Sequence, residues 1–238
     1  ERYLLKDEEG RVKETPEQLW RRVSDNIAEG ERLSGGNDAH VKKWSDTFYH
    51  MMETMEFMPN TPTLMNAGTA MQQLSACFVL PVPDNIEGIY ETMKHQALIH
   101  QSGGGTGFSF TRLRPRGSIV KSTKGVATGP VGFMSVYNAS TEIIKQGGKR
   151  RGANMGILRI DHPDVREFIH CKDDITKINN FNISVAITEK FMEAAEQNKP
   201  FDLVDPHTKK TVRTENAAAL FDELVTSAWK SGDPGIVF

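Results

Sequence analysis

The sequence predicts an α/β protein in which a helical N-terminal region, residues 1–58, precedes a region of alternating strands and helices, residues 59–238. Three observations favour this fold class: apolar residues recur at helical spacing in the first region, strand-like and helix-like segments alternate in the second, and glycine-rich loops separate several of them. Such alternation is typical of parallel strands joined by crossover helices.

The composition excludes several classes of protein. The 238 residues carry a formal net charge of −2 and include two cysteines. A near-neutral chain lacks the basic footprint of a nucleic-acid-coating protein. Two cysteines are too few for a disulfide framework or a four-cysteine zinc site, and low cysteine use is typical of a reducing compartment. No apolar run approaches the roughly 20 residues of a membrane span. We therefore expect a cytoplasmic protein with no nucleic-acid or membrane partner and no metal site.

Two helices are predicted in the first region. Thr15-Pro16-Glu17 is a helix start with threonine at the cap and proline in the first turn. The second helix is predicted from Asp38 to Met58. Their apolar stripes are typical of core packing and not of a cofactor site. The stripes comprise Leu19, Trp20, Val23 and Ile27, then Val41, Trp44, Phe48, Met52 and Met55.

The segment from Pro59 to Gly68 is predicted to be non-helical, because it contains two prolines and small polar residues. A short buried strand is predicted from Ala76 to Leu80. Asp84 is then expected to cap a third helix, of which the apolar residues from Ile86 to Ile99 are expected to be mainly buried.

Two glycine-rich loops interrupt the middle of the chain. Residues 102–107 do not match a dinucleotide fingerprint, because the spacing differs and the loop enters a strand, predicted over 108–113, without opening a helix. A tight turn without a ligand and a close approach to a ligand both remain open for this loop. Residues 147–152 carry three consecutive cations between glycines, which suits either a solvated surface loop or a loop that closes over a phosphate or carboxylate.

The remaining elements are predicted from their periodicity. A flexible stretch over 116–129 precedes a helix that runs through Phe133 and Ile144. The elements that follow are a strand at 155–160, a helix at 163–171, a strand at 181–187, a helix at 188–197, a strand at 201–204, a helix at 215–230 and a strand start at 235–238.

The two cysteines have different settings. Cys77 lies in the apolar strand after a polar loop, where burial in the core is the usual role. Cys171 follows His170 at a helix end, but no second cysteine or carboxylate completes a ligand set, so a structural role is favoured. The residues alone therefore indicate an enzyme-like α/β chain and no particular reaction.

Taken together, these segments resemble the large subunit of the ribonucleotide reductases, in its adenosylcobalamin-dependent, class II form. The resemblance covers nearly the whole chain in order. It rests on Arg2-Tyr3-Leu4-Leu5, Asn60–Gly68, Leu74-Ser75-Ala76-Cys77, Gly103–Phe108, Arg112-Leu113-Arg114-Pro115, Gly147–Met155, Asn182–Val185 and Phe191-Met192.

The resemblance implies a ten-stranded α/β barrel preceded by helices, of which this chain would supply the helices and the first half-barrel. The implied reaction replaces the ribose 2′-hydroxyl of a ribonucleotide by hydrogen through a thiyl radical, with a cysteine pair as reductant and adenosylcobalamin as the radical cofactor. Cys77 would be the first cysteine of that pair. The substrate, a ribonucleoside di- or triphosphate, would contact Thr61, Thr63, Ser75, Ala76 and Arg150.

The family also implies regulation by a deoxynucleoside triphosphate effector at a homodimer interface, through loops that correspond to 118–129 and 149–155. Two discrete loop arrangements would couple effector to substrate. A thioredoxin-type reductant would regenerate the cysteine pair. The effector would contact Asp84, Lys121, Lys149 and Arg151, although Arg150 and Arg151 could exchange roles.

One departure from the family pattern concerns the radical cysteine, which lies in an Asn-x-Cys-x-Glu motif. Ile169 and Asp173 occupy the corresponding positions around Cys171. We therefore expect the radical cysteine, its Asn and Glu, and the partner of Cys77 beyond Phe238, in an N-terminal fragment that is inactive alone. The alternatives are a class I (di-metal radical) large subunit, a non-catalytic deoxynucleotide-binding regulatory module, and a purely structural domain.

Overall fold

A computed structural model of the chain describes residues 3–120, 124–146 and 150–238. The chain divides into two compact units, Glu1–Ala76 with Ser102–Gly104, and Cys77–Gln101 with Gly105–Phe238. Within the described residues, no helix is long and apolar enough to cross a membrane.

The first unit is helical, as predicted. Its helices are α1 (Pro16–Ala28), a 3₁₀ turn (Glu29–Ser34), α2 (Asp38–Glu53) and α3 (Thr61–Asn66). The predicted start of α1 is confirmed: the Thr15 side chain accepts a hydrogen bond from the Gln18 N–H, and the Gln18 side chain accepts one from the Thr15 N–H. Leu19 and Val23 on the buried face of α1 belong to one core cluster with residues of α2 and α3.

Helix α3 corrects the prediction that Pro59 to Gly68 is non-helical. Pro62 occupies the first turn, where its missing N–H costs no intrahelical hydrogen bond. The Asn60 side chain caps the helix by accepting from the Thr63 N–H at 2.8 Å. Leu64 and Ala67 bury themselves in the core of this unit. The first compact unit therefore extends to Ala76.

The second unit alternates strands and helices. Its elements are β1 (Cys77–Pro81), α4 (Ile86–Gln101), β2 (Gly105–Ser109), α5 (Gly129–Ile143), β3 (Lys145–Gln146), β4 (Arg150–Arg151), β5 (Asn154–Arg159), α6 (Val165–Ile169), β6 (Phe181–Ala186), α7 (Glu189–Glu196), β7 (Pro200–Val204), β8 (Thr211–Asn216), α8 (Ala217–Ser231) and β9 (Gly235–Val237).

Five parallel strands form the main sheet in the order β1-β2-β5-β6-β9, which is also their order along the chain. The predicted parallel pairing is confirmed for these strands. One face of the sheet carries the core, which includes Phe108, Leu158 and Ile183 and packs beneath helices. The sheet ends at β1 and β9, and the described residues do not close it into a barrel. This half-barrel arrangement agrees with the fold class that the sequence predicts.

Three predictions for this unit are wrong in detail. Strand β1 is only half-buried: Phe78 and Leu80 are half-buried, whereas Val79, on the face opposite the core, is 87% exposed. Strand β2 begins at Gly105, so two glycines belong to the strand. Residues 211–216 form β8, which pairs antiparallel with β7 in a separate hairpin, so α8 begins at Ala217 and not at Glu215.

Candidate functional site

Cys77 is a free, exposed cysteine at the first position of β1. Its Cα lies in register with Gly105 of β2, which has no side chain to cover the thiol. Because side chains alternate along a strand, Cys77 shares a face of β1 with Val79 and Pro81. In register across the sheet, this face continues through Gly107 and Ser109. The thiol is therefore accessible on the face opposite the core, which we call the open face.

The predicted substrate residues Thr61, Thr63, Ser75 and Ala76 all belong to the first unit. The buried Thr63 hydroxyl donates to the Leu74 carbonyl at 2.8 Å. The Asn60 side-chain amide donates to the same carbonyl at 3.1 Å. These bonds bring the start of α3 next to the segment that carries Ser75, which is exposed, and Ala76, which is half-buried.

An ion pair between Arg22 and Glu14 holds the C-terminal end of helix α3. Arg22 on α1 donates from Nε to Oε1 of Glu14 at 2.7 Å, and its guanidinium also donates to the backbone carbonyls of Leu64 and Ala67. Burial acts to raise the pKa of Glu14, but the hydrogen bonds from Arg22 and from the Leu5 N–H outweigh it and lower the pKa. Arg22 thereby satisfies the carbonyls that the C-terminal end of α3 leaves unpaired.

Asp84 follows β1 and is not the cap of α4. The Asn85 side chain caps instead, accepting from the Gly88 N–H at 2.7 Å. The Asp84 carboxylate accepts from the backbone N–H and from Nε of Arg114, at 3.0 and 2.7 Å. It also lies 2.7 Å from Nε2 of His207. In this arrangement both carboxylate oxygens are engaged by the protein's own groups.

The remaining predicted effector and substrate residues lie in or near the two loops. Lys121 and Lys149 are outside the described residues. Arg150 and Arg151 form strand β4, which pairs antiparallel with β3. The backbone before β5 is therefore a short hairpin that returns toward the main sheet.

A buried polar network joins Asn154, the first residue of β5, to strand β2 and to helices α4 and α5. The Gln96 side-chain amide of α4 donates to Oδ1 of Asn154 at 2.9 Å and to Oγ1 of Thr141 at 3.0 Å. The Thr106 hydroxyl on β2 donates to the same Asn154 oxygen at 2.7 Å. His100 Nε2 lies 3.0 Å from the Thr106 hydroxyl oxygen, and because that hydroxyl donates to Asn154, His100 is its donor. The first residue of β5 is thus bonded to β2, α4 and α5.

Cys171 has the structural setting that the sequence favours. Burial raises the pKa of its thiol to about 12, so it is protonated at neutral pH. The neighbouring His170 is engaged by Asp173 and Glu223, at 2.9 and 2.8 Å. Within the described residues, no group of three His, Cys, Asp or Glu side chains is arranged to hold a metal ion.

Sequence reasoning missed the partners that organise these residues. His207 and Arg114 come from segments 123 and 30 positions from Asp84 along the chain, and no local pattern joins them. Gln96 and His100 did carry a signal, since two polar residues at i and i+4 spacing lie on the buried face of α4.

Comparison with known proteins shows two matches to family descriptions that together cover nearly the whole chain. Residues 1–72 match the family described as "Ribonucleotide reductase, all-alpha domain". Residues 75–238 match "Ribonucleotide reductase, barrel domain". These ranges correspond to the helical first unit and the α/β second unit.

Curated relatives agree with these matches. The "Vitamin B12-dependent ribonucleoside-diphosphate reductase" of Thermoplasma acidophilum is 45% identical over an alignment that covers all of this chain and 38% of the relative. The protein of the same name from Mycobacterium tuberculosis is 41% identical over all of this chain and 34% of the relative. A "Ribonucleoside-diphosphate reductase subunit alpha" of Chlamydia trachomatis is 32% identical over 83% of this chain. The chain spans about a third of the length of the B12-dependent relatives.

Proposed function

This chain belongs to the ribonucleotide reductase family, and from that premise we propose that it forms part of a class II reductase that converts ribonucleotides to deoxyribonucleotides. The observation that carries the proposal is Cys77, an exposed thiol at the start of β1 on the open face of the sheet. Exposure is what a cysteine needs if a substrate and then an external dithiol are to reach it.

Cys77 is proposed as one cysteine of the reducing pair. Replacing the ribose 2′-hydroxyl by hydrogen releases water and consumes two electrons and two protons. Two thiols supply both when they become one disulfide, and a thioredoxin-type dithiol returns the pair to the reduced state. Cys171 is not a candidate for the second thiol, because its half-buried side chain packs against the core on the opposite face of the sheet.

The substrate is proposed to contact the first unit through Thr61, Thr63, Ser75 and Ala76, with Arg150 as a further contact. The Thr63 hydroxyl donates its proton to the Leu74 carbonyl, so its oxygen can still accept a hydrogen bond from the substrate. Arg22 acts as a positioning residue for this group, since it anchors the far end of α3.

The B12-dependent relatives imply adenosylcobalamin as the radical-generating cofactor. The described residues do not fit it, because the charged residues Arg159, Asp161 and Lys209 are among those that line the cavity of about 710 Å³ in the second unit. We therefore assign no step to the cofactor in this chain, and place its site in the part of the relatives that this chain does not span.

Regulation is proposed at Asp84 and the two loops, with a deoxynucleoside triphosphate effector, a homodimer and a cytoplasmic setting. The effector residues would be Asp84, Lys121, Lys149 and Arg151. Because His207 and Arg114 already engage Asp84, an effector hydroxyl would have to share or displace one of these bonds. The buried network at Asn154 supports the coupling, since it bonds the root of the second loop to the strand adjacent to Cys77.

The test uses a chimera in which this chain replaces the aligned segment of the Thermoplasma acidophilum relative. We expect the chimera to reduce ribonucleoside diphosphates with adenosylcobalamin and a thioredoxin-type reductant, Cys77→Ser to abolish turnover, and Cys171→Ser to retain it. Full turnover in Cys77→Ser would refute the redox role and favour a regulatory nucleotide-binding module. Activity of the full-length protein that contains this chain with a separate radical-generating subunit, and none with adenosylcobalamin, would instead identify a class I large subunit.

A further inference from the structure

A cavity of about 710 Å³ lies at the carboxyl ends of three strands in the second unit. Ser109, Arg159 and Ala186, the last residues of β2, β5 and β6, form its floor, and the turn over residues 205–210 between β7 and β8 lines its side. Carboxyl ends of parallel strands are the usual place for ligands in open α/β sheets. None of the residues proposed for substrate or effector lines it.

The carboxylates of this strand-end cavity already have partners within the protein. Arg159 forms a two-pronged pair with Asp161, with Nε to Oδ1 at 2.9 Å. Asp205 accepts from the backbone N–H groups of His207 and Thr208 at 2.7 and 2.9 Å. Burial acts to raise the pKa of Asp205, but these hydrogen bonds outweigh it and lower the pKa, so the carboxylate is ionised and satisfied.

Two positive charges in the cavity wall are not neutralised. Arg112 and Lys209 are among the residues that line the cavity, and neither cationic group has an ion pair or a hydrogen bond within the described residues. Arg112 contributes only its backbone carbonyl, which lies 3.0 Å from His207 Nε2. Both side chains therefore present free donors to whatever occupies the cavity.

A hydroxyl donor lies on the same wall. Thr111 Oγ1 accepts from the Arg159 backbone N–H at 3.1 Å and from the Ser109 hydroxyl at 3.2 Å. Since both lone pairs of Thr111 are used, its own proton is left to donate. An unpaired guanidinium, an unpaired ammonium and a hydroxyl proton are the donor set that phosphate oxyanions select.

We propose that the strand-end cavity binds a phosphate group, either as a free inorganic ion or as part of a nucleotide's phosphate chain, with Arg112, Lys209 and Thr111 as the donors. The site is separate from Cys77. Cys77 is in register with Gly105, and Ser109 at the cavity lies four residues further along β2, which is about 13 Å at 3.3 Å per residue. It goes beyond the proposed reduction of ribonucleotides, and it can be tested without that activity.

The test is calorimetric titration of the 238-residue chain with inorganic pyrophosphate at constant ionic strength. We expect Arg112→Gln and Lys209→Gln each to weaken binding about tenfold, because each removes a charge-assisted hydrogen bond. Lys210→Gln is the matched control, since Lys210 is adjacent and does not line the cavity. Thermal unfolding of the three variants should match the parent chain, because all three side chains are exposed.

Two results would overturn the proposal: no binding of pyrophosphate by the parent chain, or an equal loss in Lys210→Gln, which would mean nonspecific attraction to cations. A parallel titration with a deoxynucleoside triphosphate distinguishes the sources of phosphate. Tighter binding of the nucleotide, with the same losses in Arg112→Gln and Lys209→Gln, assigns the site to a nucleotide's phosphates. Equal affinity for both probes assigns it to free phosphate.

Discussion

Gly152→Ala tests whether the buried polar network around Asn154 tolerates a side chain at position 152, in the loop over residues 149–155. A Cβ at Gly152 would lie 2.6 Å from Nδ1 of His100 and 2.8 Å from Cγ2 of Thr141. Hydrogen bonds restrain both neighbouring side chains, so neither can move away without losing one: His100 is hydrogen-bonded to Thr106, and the Thr141 hydroxyl donates to a backbone carbonyl. Overpacking of this kind costs about 1–3 kcal/mol in the free energy of unfolding.

The control is Gly107→Ala in the same unit. A Cβ there would meet its nearest neighbour, Cβ of Met155, at 3.7 Å, an ordinary van der Waals distance. The added methyl group restricts the unfolded chain, so we expect Gly107→Ala to be neutral or to stabilise by about 0.4–1 kcal/mol. Thermal unfolding followed by circular dichroism should show a melting temperature lower by about 2–4 °C for each kcal/mol lost in Gly152→Ala.

A double-mutant cycle separates the clash from other effects. The cost of Gly152→Ala should fall by at least about 0.5 kcal/mol in a His100→Ala background, because the closest contact is then gone. The cost should fall only in part, because the contact between the added Cβ and Cγ2 of Thr141 remains. Equal stability of Gly152→Ala and the parent chain, or an unchanged cost without the His100 ring, would refute the packing argument.

Three further predictions concern thiols, charge and pH. Iodoacetamide should alkylate the exposed Cys77 readily and the half-buried Cys171 slowly, because burial raises the pKa of the Cys171 thiol to about 12, as peptide mass analysis of the native chain will show. Glu14→Gln should destabilise the helical unit by about 3–5 kcal/mol in urea unfolding, because it leaves the buried Arg22 without its charge partner. Burial lowers the pKa of His162 in the folded chain. Its contribution to the free energy of unfolding is therefore complete above the pKa of about 6.5 in the unfolded chain, and it is lost as the pH falls toward the lowered pKa of the folded chain. Unfolding midpoints measured from pH 8 to pH 5 will test this dependence.

Each of these predictions has a control. Cys171 should become reactive in urea, and equal native reactivity of both thiols would contradict the burial argument. Arg32→Gln disrupts only exposed ion pairs and should cost less than about 1 kcal/mol. His162 Nδ1 accepts from the Asp164 N–H at 3.0 Å, so protonation breaks that bond. His162→Gln should flatten the pH dependence, and an unchanged slope would contradict the assignment.

The sequence predicts helix starts, apolar helix faces and the alternation of strands with helices, because each of these depends on residues that are close together in the chain. The threonine cap at Thr15 and the apolar stripe of α1 are set within a few residues, and the structure confirms both. The alternation that implies parallel pairing is likewise readable without tertiary contacts. Helix α3 differs from the prediction because Pro62 lies in its first turn, where proline is tolerated, and not in a helix interior, where proline breaks a helix.

Features that depend on distant neighbours could not be predicted from the sequence. The exposure of β1 follows from its position in the sheet and not from its apolar residues, which read as buried. The antiparallel pairing of β7 with β8 depends on a turn between two short segments in a region where helices separate strands. The engagement of Asp84 by His207 joins two segments more than 120 residues apart, so sequence reasoning assigned Asp84 a local capping role that Asn85 fulfils.

The position of Cys77 on an edge strand limits the direction from which its proposed disulfide partner can approach. Its paired side faces Gly105, which offers no sulfur, whereas the other side of β1 is unpaired within the described chain. Directly opposite residues on neighbouring antiparallel strands have Cα atoms about 4.5–5.5 Å apart, and disulfides span about 4.4–6.8 Å between Cα atoms. An incoming antiparallel strand that extends the sheet at β1 would therefore bring a cysteine into bonding range of Cys77 by backbone pairing alone, so sheet assembly and formation of the reducing pair would be a single event.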